Sequence, residues 1–308
     1  MNFRSIRDLG DLIRDNLDVI PGDVDLVVAV PRSGIIPAAM IALARNLPVT
    51  DIDGLLEQRL LERQGRRKVA ANAWPPRHVL VVDDSVASGK SLTAVRERFA
   101  ELPAQTRVSY LAAYGWVPGA SVADIVLETL PNPRAFEWNL FHHDCMEWAC
   151  LEIDGVLCAA PGRDAPDDGP RYRDVLRDAK PLFLPSKPVA SLVTARREEY
   201  RVQTEDWLQR HGVRYGELIM LDETDADRRR FGLAIKHKAD VYRRKGDDIR
   251  LFVEGDLWQA REIAALSGRM VISVEQLVMF AAGRSYVTGQ RARRYGRALL
   301  ERLGLAAR

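Results

Sequence analysis

The chain has 308 residues, of which 47% are hydrophobic and 29% charged, and its 45 basic and 43 acidic side chains leave a net charge of +2. This length predicts two domains of about 150 residues each, and the composition excludes a disordered chain. The small charge excess argues against a dedicated nucleic-acid-binding protein, and no apolar run approaches the ~20 residues of a membrane-spanning helix. The first residues carry no apolar signal segment, and three cysteines imply no disulfide framework, so we expect a cytoplasmic protein.

The first half of the chain alternates short apolar runs with amphipathic stretches. In chain order the predicted elements are strand 26–30, helix 36–46, strand 79–82, helix 91–102 and strands 108–114 and 125–127. Strands that are apolar on both faces and alternate with helices predict a parallel sheet covered on both sides.

A basic stretch interrupts this alternation between residues 58 and 77. Its cations gather around a glycine and comprise Arg59, Arg63, Arg66, Arg67 and Lys68. The pattern indicates a mobile basic loop, and a solvated helix end is the alternative interpretation.

The most informative segment is the apolar run 79–82 and the residues that follow it. Asp83 and Asp84 stand directly after the run, at the carboxyl end of a predicted strand, where open α/β sheets bind ligands. The next residues are small and hydroxylated and open a helix, so their backbone N–H groups form an anion site. Gly89-Lys90-Ser91 resembles the end of a P-loop, but that motif requires a glycine where Asp84 stands.

This segment resembles the ribosyl-phosphate-binding signature of type I phosphoribosyltransferases, in which two acids and three variable residues precede Thr-Gly-X-Thr. Ser88 and Ser91 stand at the threonine positions and keep both hydroxyls. The segment Pro31-Arg32-Ser33-Gly34 follows the first predicted strand, where this family has its pyrophosphate-binding loop.

The resemblance implies that Asp83 and Asp84 hold the ribose hydroxyls of phosphoribosyl pyrophosphate (PRPP). It implies that the 5′-phosphate is bound by Ser85, Val86, Ala87, Ser88, Gly89, Lys90 and Ser91. Pyrophosphate would contact Arg32, Ser33 and Gly34, with Mg²⁺ bridging it to the sugar. Arg63 and Lys68 lie where the family has its flexible catalytic loop. Purine-salvage members carry an aspartate at the position of Ala87, so the pattern is closer to orotate-type members, although no residue identifies the acceptor.

The second half of the chain starts a new alternating set after residues 141–148. Its predicted elements are strands 149–154 and 189–193, helix 198–210, strand 218–221, a helical stretch over 236–244, and strands 251–253 and 270–272.

Polar side chains follow three of these predicted strands, and a lysine lies in the last helical stretch. They are Glu152 and Asp154 after the first strand, Thr194 and Ala195 after the second, Glu254 and Asp256 after another, and Lys238 in the helical stretch. The carboxylates suit Mg²⁺ and the hydroxyl suits a phosphoryl group, whose charge the lysine would neutralise.

This arrangement resembles the haloacid-dehalogenase (HAD)-like phosphohydrolases, whose four motifs appear in order across residues 149–275. The resemblance implies acid/base chemistry at Asp154, phosphate binding at Thr194 and Ala195, charge neutralisation at Lys238, and metal ligation by Glu152, Asp154, Glu254 and Asp256. The family's nucleophile is an aspartate, and Glu152 stands in its place. A side chain one methylene longer displaces the attacking oxygen, and displacements of ~1 Å can cost ~100-fold in rate. A weak phosphohydrolase and a phosphate-binding or scaffolding domain therefore both stay open.

Together these patterns predict an α/β protein of two doubly wound domains. Residues 1–148 would form a type I phosphoribosyltransferase fold, and residues 149–308 a HAD-like Rossmannoid fold with little or no cap and a basic C-terminal helix at 291–302. We expect a phosphoribosyltransferase that uses PRPP, Mg²⁺ and a base-like acceptor and that is coupled to a HAD-like phosphatase or phosphate-binding domain. We also expect the protein to form a homodimer and to have no membrane or nucleic-acid partners. The alternative is a non-catalytic nucleotide-sensing regulator that binds RNA or protein.

Overall fold

The chain folds as two compact units, Met1–Arg134 and Ala135–Arg308. The computed structural model describes residues 1–60, 75–116, 120–162, 169–222, 232–281 and 284–286. Each unit is a mixed α/β structure built on a largely parallel sheet, as the sequence predicts. The predicted boundary after residue 148 lies inside the second unit, immediately before its first parallel strand. Among the described residues, no helix is long and apolar enough to cross a membrane.

The N-terminal unit contains a five-stranded parallel sheet in the order β3-β2-β4-β5-β6. Its elements are β1 (Asn2–Arg4), α1 (Ile6–Arg14), β2 (Leu26–Ala29), α2 (Ile35–Arg45), β3 (Val49–Asp51), α3 (Ile52–Leu56), β4 (His78–Val86), α4 (Lys90–Arg98), β5 (Arg107–Gly115) and β6 (Ile125–Thr129). A short strand, β7 (Arg134–Phe136), lies at the division between the units.

The central strand β4 explains the continuous apolar run of the sequence. Val79 and Val81 pack in one core cluster with Val28 of β2 and Leu92 of α4, and the strand is buried on both faces, as the run predicts. The strand is longer than predicted, because β5 continues to pair with it as far as Val86, whereas β2 pairs only up to Val82. The two acids therefore lie inside β4, just beyond the point where β2 ends.

The C-terminal unit contains a seven-stranded sheet in the order β10-β9-β8-β11-β12-β13-β14. Its elements are β8 (Ala149–Leu151), α5 (Gly169–Arg177), β9 (Val189–Arg197), α6 (Arg201–Arg210), β10 (Tyr215–Leu221), α7 (Leu233–Arg244), β11 (Leu251–Glu254), α8 (Leu257–Ser267), β12 (Val271–Ser273), β13 (Val278–Ala281) and β14 (Arg284–Tyr286). The first five strands in this order are parallel, and β13 and β14 are antiparallel.

Several element bounds in this unit differ from the sequence prediction. The strand predicted over 149–154 ends at Leu151, and β9 runs on to Arg197, so Thr194 lies within a strand. The helix predicted from residue 198 begins at Arg201, after one 3₁₀ turn. The antiparallel pair β13 and β14 was not predicted, because these strands are short and lack a helix between them.

Candidate functional site

The two motifs predicted in the N-terminal unit meet at the carboxyl edge of its sheet. The amide of Val30 donates to the carbonyl of Val82 over 2.9 Å, and the chain then turns through residues 31–34, beginning with a cis peptide bond between Pro31 and Arg32. This turn brings Ser33 beside β4, where its hydroxyl donates to Oδ1 of Asp84 over 2.8 Å. The predicted pyrophosphate loop and the predicted ribose-binding acids are thus in direct contact.

Gly34 allows this close approach of the turn to β4. A Cβ atom at this position would lie 2.4 Å from the carbonyl oxygen of Val30 and 2.8 Å from that of Val82. Since real Cβ contacts are longer than 3.0 Å, a side chain here would push the turn away from the strand. The glycine is therefore needed for the backbone to pass this close to the acids.

Asp83 and Asp84 are both buried, with 6% and 4% of their surface exposed. The amide of Asp84 donates to Oδ1 of Asp83 over 2.9 Å. Burial and the neighbouring charge of Asp84 together raise the pKa of Asp83 to about 8, although a hydrogen bond with the Ser91 side chain acts in the opposite direction. Placing negative charge on both buried carboxyl groups is costly, so a bound cation or hydroxyl donors would stabilise the ionised pair. The pair therefore fits Mg²⁺ as well as ribose hydroxyls.

The loop after β4 presents a backbone anion site. Ala87 and Ser88 are exposed, and Gly89 adopts a left-handed conformation with φ of 79°. Gly89 is also the N-cap of α4, which begins at Lys90 and has no side-chain hydrogen bond at its N-terminus. The first N–H groups of the helix can therefore bind an oxyanion, and the sequence predicts a phosphate site over residues 85–91.

Arg134 is a candidate site residue that sequence reasoning missed. Only 7% of its surface is exposed. Burial lowers the pKa of Arg134, and the negative charge of Asp84 opposes this effect. Arg134 is a single arginine after a proline-rich turn and belongs to no recognisable motif. No signal in the sequence therefore connects it with Asp84. The predicted catalytic residues Arg63 and Lys68 lie outside the described residues.

In the C-terminal unit, strands β9, β8 and β11 are adjacent and parallel, so their carboxyl ends meet at one edge. This edge carries Glu152 after β8, Thr194 within β9 and Glu254 at the end of β11, all at most 2% exposed. Ala195 is the half-buried neighbour of Thr194. The hydroxyl of Thr194 accepts a hydrogen bond from the backbone amide of Arg196 over 3.2 Å.

Lys238 lies between the buried carboxylates at this edge. Its Nζ donates to Glu152, to Oε2 of Glu254 over 2.8 Å and to Oε1 of Gln259 over 3.0 Å. Burial lowers the pKa of Lys238, but the two carboxylates outweigh burial and the net shift is upward. An ammonium group has three N–H donors, and all three have protein acceptors here. Lys238 thus offsets part of the negative charge of Glu152 and Glu254, whereas the sequence predicts that it neutralises a phosphoryl group.

Arg196 holds Asp154 in a second, separate ion pair. Its Nη2 and Nε donate to the two carboxylate oxygens of Asp154 over 2.7 and 3.0 Å, and Nη1 donates to the hydroxyl of Thr204 over 3.3 Å. The Arg196 side chain is fully buried and that of Asp154 is 20% exposed. The sequence assigns no role to Arg196, because its pairing with Asp154 depends on how the ends of strands β8 and β9 are oriented towards each other.

The four acids predicted to ligate a metal in this unit all have protein partners, and Glu152 and Glu254 share Lys238. Oε1 of Glu152 accepts from the amide of Ile153, and Asp256 caps α8 by accepting from the amide of Gln259 over 2.7 Å. Within the described ranges, no three acidic, histidine or cysteine side chains are arranged to hold a metal ion. At this edge the cation that lies between the carboxylates of Glu152 and Glu254 is the Lys238 ammonium.

Comparison with known proteins gives matches to solved structures only. No family model matches the sequence, and no curated protein matches it at a significant level. A xanthine-guanine-hypoxanthine phosphoribosyltransferase of Helicobacter pylori is 19% identical to this chain, with a TM-score of 0.35. The match covers 45% of this chain and 92% of the Helicobacter pylori chain. A purine phosphoribosyltransferase of Pyrococcus horikoshii is 18% identical to this chain, with a TM-score of 0.34. The match covers 44% of this chain and 92% of the Pyrococcus horikoshii chain.

An orotate phosphoribosyltransferase of Aeropyrum pernix is 21% identical to this chain, with a TM-score of 0.28. The match covers 39% of this chain and 68% of the Aeropyrum pernix chain. These similarities concern the N-terminal part of the chain. At such identities and TM-scores they do not establish the family of the chain, so we infer its function from the geometry of the residues.

Proposed function

We propose that the N-terminal unit binds PRPP and transfers its ribose 5-phosphate to a nitrogenous, base-like acceptor, releasing pyrophosphate. The hydrogen bond from Ser33 to Asp84 supports this proposal, because it joins the predicted pyrophosphate loop to the predicted ribose-binding acids. The exposed loop at Ala87 and Ser88 and the N-terminus of α4 would then take the 5′-phosphate.

The transfer breaks the bond between the anomeric carbon and a pyrophosphate oxygen, and the bonding electron pair leaves with pyrophosphate. The acceptor nitrogen provides the electron pair of the new carbon–nitrogen bond and then loses a proton to solvent. Asp83 and Asp84 would accept hydrogen bonds from the ribose hydroxyls and hold the ring while positive charge develops on it. Arg32, exposed beside Ser33, would stabilise the negative charge that develops on the leaving group.

Mg²⁺, when bound, supplies positive charge to the pyrophosphate group, and Asp83 and Asp84 are the residues that would hold it beside the sugar. Arg63 and Lys68 are proposed as catalytic residues from the sequence pattern alone.

A pyrophosphate-release assay tests this proposal. The full-length protein is incubated with PRPP, Mg²⁺ and a panel of nitrogenous bases, and we expect release with at least one base. Asp83→Asn and Asp84→Asn should each lower the rate by about 100-fold or more, since they remove charge at the reacting sugar. Asp11→Asn, on the exposed pair with Arg14, serves as a matched control and should keep full activity.

Absence of pyrophosphate release with every base would contradict the transferase proposal. Tight nucleotide binding in calorimetry without turnover would then favour the alternative function, a non-catalytic nucleotide-sensing regulator that binds RNA or protein. A nucleotide that copurifies with the protein, identified by mass spectrometry, would name the class of ligand in either case.

We also propose that the C-terminal unit binds or hydrolyses a phosphate group, so that it would act on the product of the first unit. The adjacent strand ends that carry Glu152, Thr194 and Glu254 support a ligand site at this edge. Glu152 is held by Lys238 and by the amide of Ile153. This restraint favours the phosphate-binding alternative over hydrolysis, because a nucleophile must be able to reach the phosphorus atom.

Shortening the side chain at position 152 separates these two alternatives. For a weakened phosphohydrolase, Glu152→Asp should raise the hydrolysis of a generic phosphomonoester, because it restores the shorter nucleophile. For a binding domain, hydrolysis should stay at background. Glu217→Asp, which shortens a carboxylate paired with the Lys245 ammonium on the same unit, controls for non-specific effects.

A further inference from the structure

A cavity of about 410 Å³ lies along helix α7 of the C-terminal unit. Its lining residues are Leu233, Lys236, His237, Asp240, Arg243 and Arg244. They recur at intervals of three and four residues, so they share one face of the helix. The volume lies within the range of about 300–1,000 Å³ that is usual for small-molecule sites.

The cavity has an excess of positive charge. Asp240 is its acidic lining residue, and it pairs with Arg243 over 2.7 Å. Lys236 and Arg244 are exposed, and within the part of the chain that the structure describes neither of them forms an ion pair. Two cations without a carboxylate partner on one cavity wall favour an anionic ligand, and the oxygens of a phosphate group suit both arginine and lysine.

His237 connects this cavity with the strand edge described above. Burial lowers the pKa of His237, and the negative charge of Glu152 and a hydrogen bond with the backbone of Thr194 oppose this effect. Its Nε2 atom is buried and has no hydrogen-bond partner among the described residues. A buried ring nitrogen without a partner costs free energy, so a ligand that forms a hydrogen bond with it gains affinity.

The residues that the sequence predicts for anion binding at this edge are already committed to protein partners. Lys238 uses its three donors on Glu152, Glu254 and Gln259. Arg196 uses its guanidinium on Asp154 and Thr204. An incoming phosphate would have to break buried ion pairs to reach either cation, which is costly, whereas the cations of the α7 cavity are available.

We therefore propose that the α7 cavity is the phosphate-binding site of the C-terminal unit, with Lys236 and Arg244 providing charge and His237 a hydrogen bond to a phosphomonoester. This inference rests on the proposal that the unit binds phosphate, and it is independent of the transferase proposal. It assigns phosphate recognition to the exposed residues Lys236 and Arg244 of α7, in place of the buried Lys238 of the same helix.

Histidine NMR of the full-length protein tests this inference locally. The chain has five histidines, and His237→Gln identifies the His237 ring resonance by its loss. Inorganic phosphate and ribose 5-phosphate are then titrated separately. We expect each to shift the His237 resonance in a saturable manner and to raise the proton affinity of the ring about tenfold, because a nearby anion favours its charged form.

The variants Lys236→Ser and Arg244→Ser, combined in one protein, should abolish this shift. Lys245→Ser, which removes a neighbouring ammonium that is paired with Glu217, should leave it intact. An unmoved His237 resonance at saturating phosphate would overturn the inference, and so would a shift that persists in the double variant. Pyrophosphate release reports on the other unit, so failure here is distinguishable from failure of the transferase proposal.

Discussion

The hydroxyl of Ser33 donates a hydrogen bond to Oδ1 of Asp84 over 2.8 Å, although 51 residues separate the two in sequence. This bond fixes the turn after β2 against the acids of β4. Ser33→Ala removes it, and hydrogen bonds to charged groups contribute about 1.5–3 kcal/mol. We expect kcat/KM for PRPP, measured by pyrophosphate release, to fall by roughly 10- to 100-fold. Ser33→Thr keeps the hydroxyl and should retain most activity; equal loss in both variants would argue against a role for the hydroxyl.

Gly34 gives a prediction about stability. A methyl group at this position would collide with the carbonyl oxygens of Val30 and Val82, and forced contacts of this kind cost about 1–3 kcal/mol. Gly34→Ala should therefore lower the free energy of unfolding, measured in urea, by that amount. Gly22→Ala is the matched control, since a Cβ atom at that position would have no atom within 4 Å of it. Unchanged stability in Gly34→Ala would show that the turn can move away from β4.

The raised pKa of Asp83 predicts how the free energy of unfolding depends on pH. Its pKa of about 8 in the folded protein exceeds the ordinary value of 3.8, so the folded state binds the proton more tightly than the unfolded state does. This carboxyl therefore stabilises the fold at low pH, and the contribution is lost as pH rises through about 8, by at most about 1.4 kcal/mol per pH unit.

Asp83→Asn removes this dependence, because the amide stays neutral at every pH. The free energy of unfolding of the variant, relative to the unmodified protein, should increase steadily between about pH 5 and about pH 8. Asp144→Asn is the control, because the hydrogen bond with Lys187 lowers the pKa of Asp144 and places its titration below this window. A constant difference for Asp83→Asn would contradict the raised pKa.

The sequence predicts the parts of the site that depend on strand position. The apolar run ending at Val82 requires a buried strand, and residues that follow adjacent parallel strands must share one edge of the sheet. The placement of Ser33 and Asp84 at the same edge follows from this rule, and the turn at residues 31–34 brings them into contact. The same rule predicts that Glu152, Thr194 and Glu254 share an edge in the C-terminal unit.

Side-chain partners at these edges could not be predicted in the same way. Whether Lys238 points to a ligand or to Gln259 depends on rotamers and on the position of α8, and neither has a periodic signal in the sequence. Arg196 follows Thr194 by two positions along β9, but its pairing with Asp154 depends on the conformation of the loop after β8. The sequence thus indicates which groups converge, and the structure is needed to show which of them are already paired.

The ion pair between Arg196 and Asp154 gives the last prediction. Arg196→Met keeps the apolar stem and removes the charge, which leaves the partly buried Asp154 carboxylate without its two donors. Removing one partner of a buried pair costs about 3–5 kcal/mol, so we expect a loss near the lower bound in chemical unfolding, because Asp154 is 20% exposed. Arg201→Met, on the exposed pair with Glu198, should cost less than about 1 kcal/mol. Adding Asp154→Asn to Arg196→Met should recover part of the lost free energy of unfolding, because no unpaired charge then remains. If the double variant is less stable than Arg196→Met, the loss does not come from an unpaired Asp154 carboxylate.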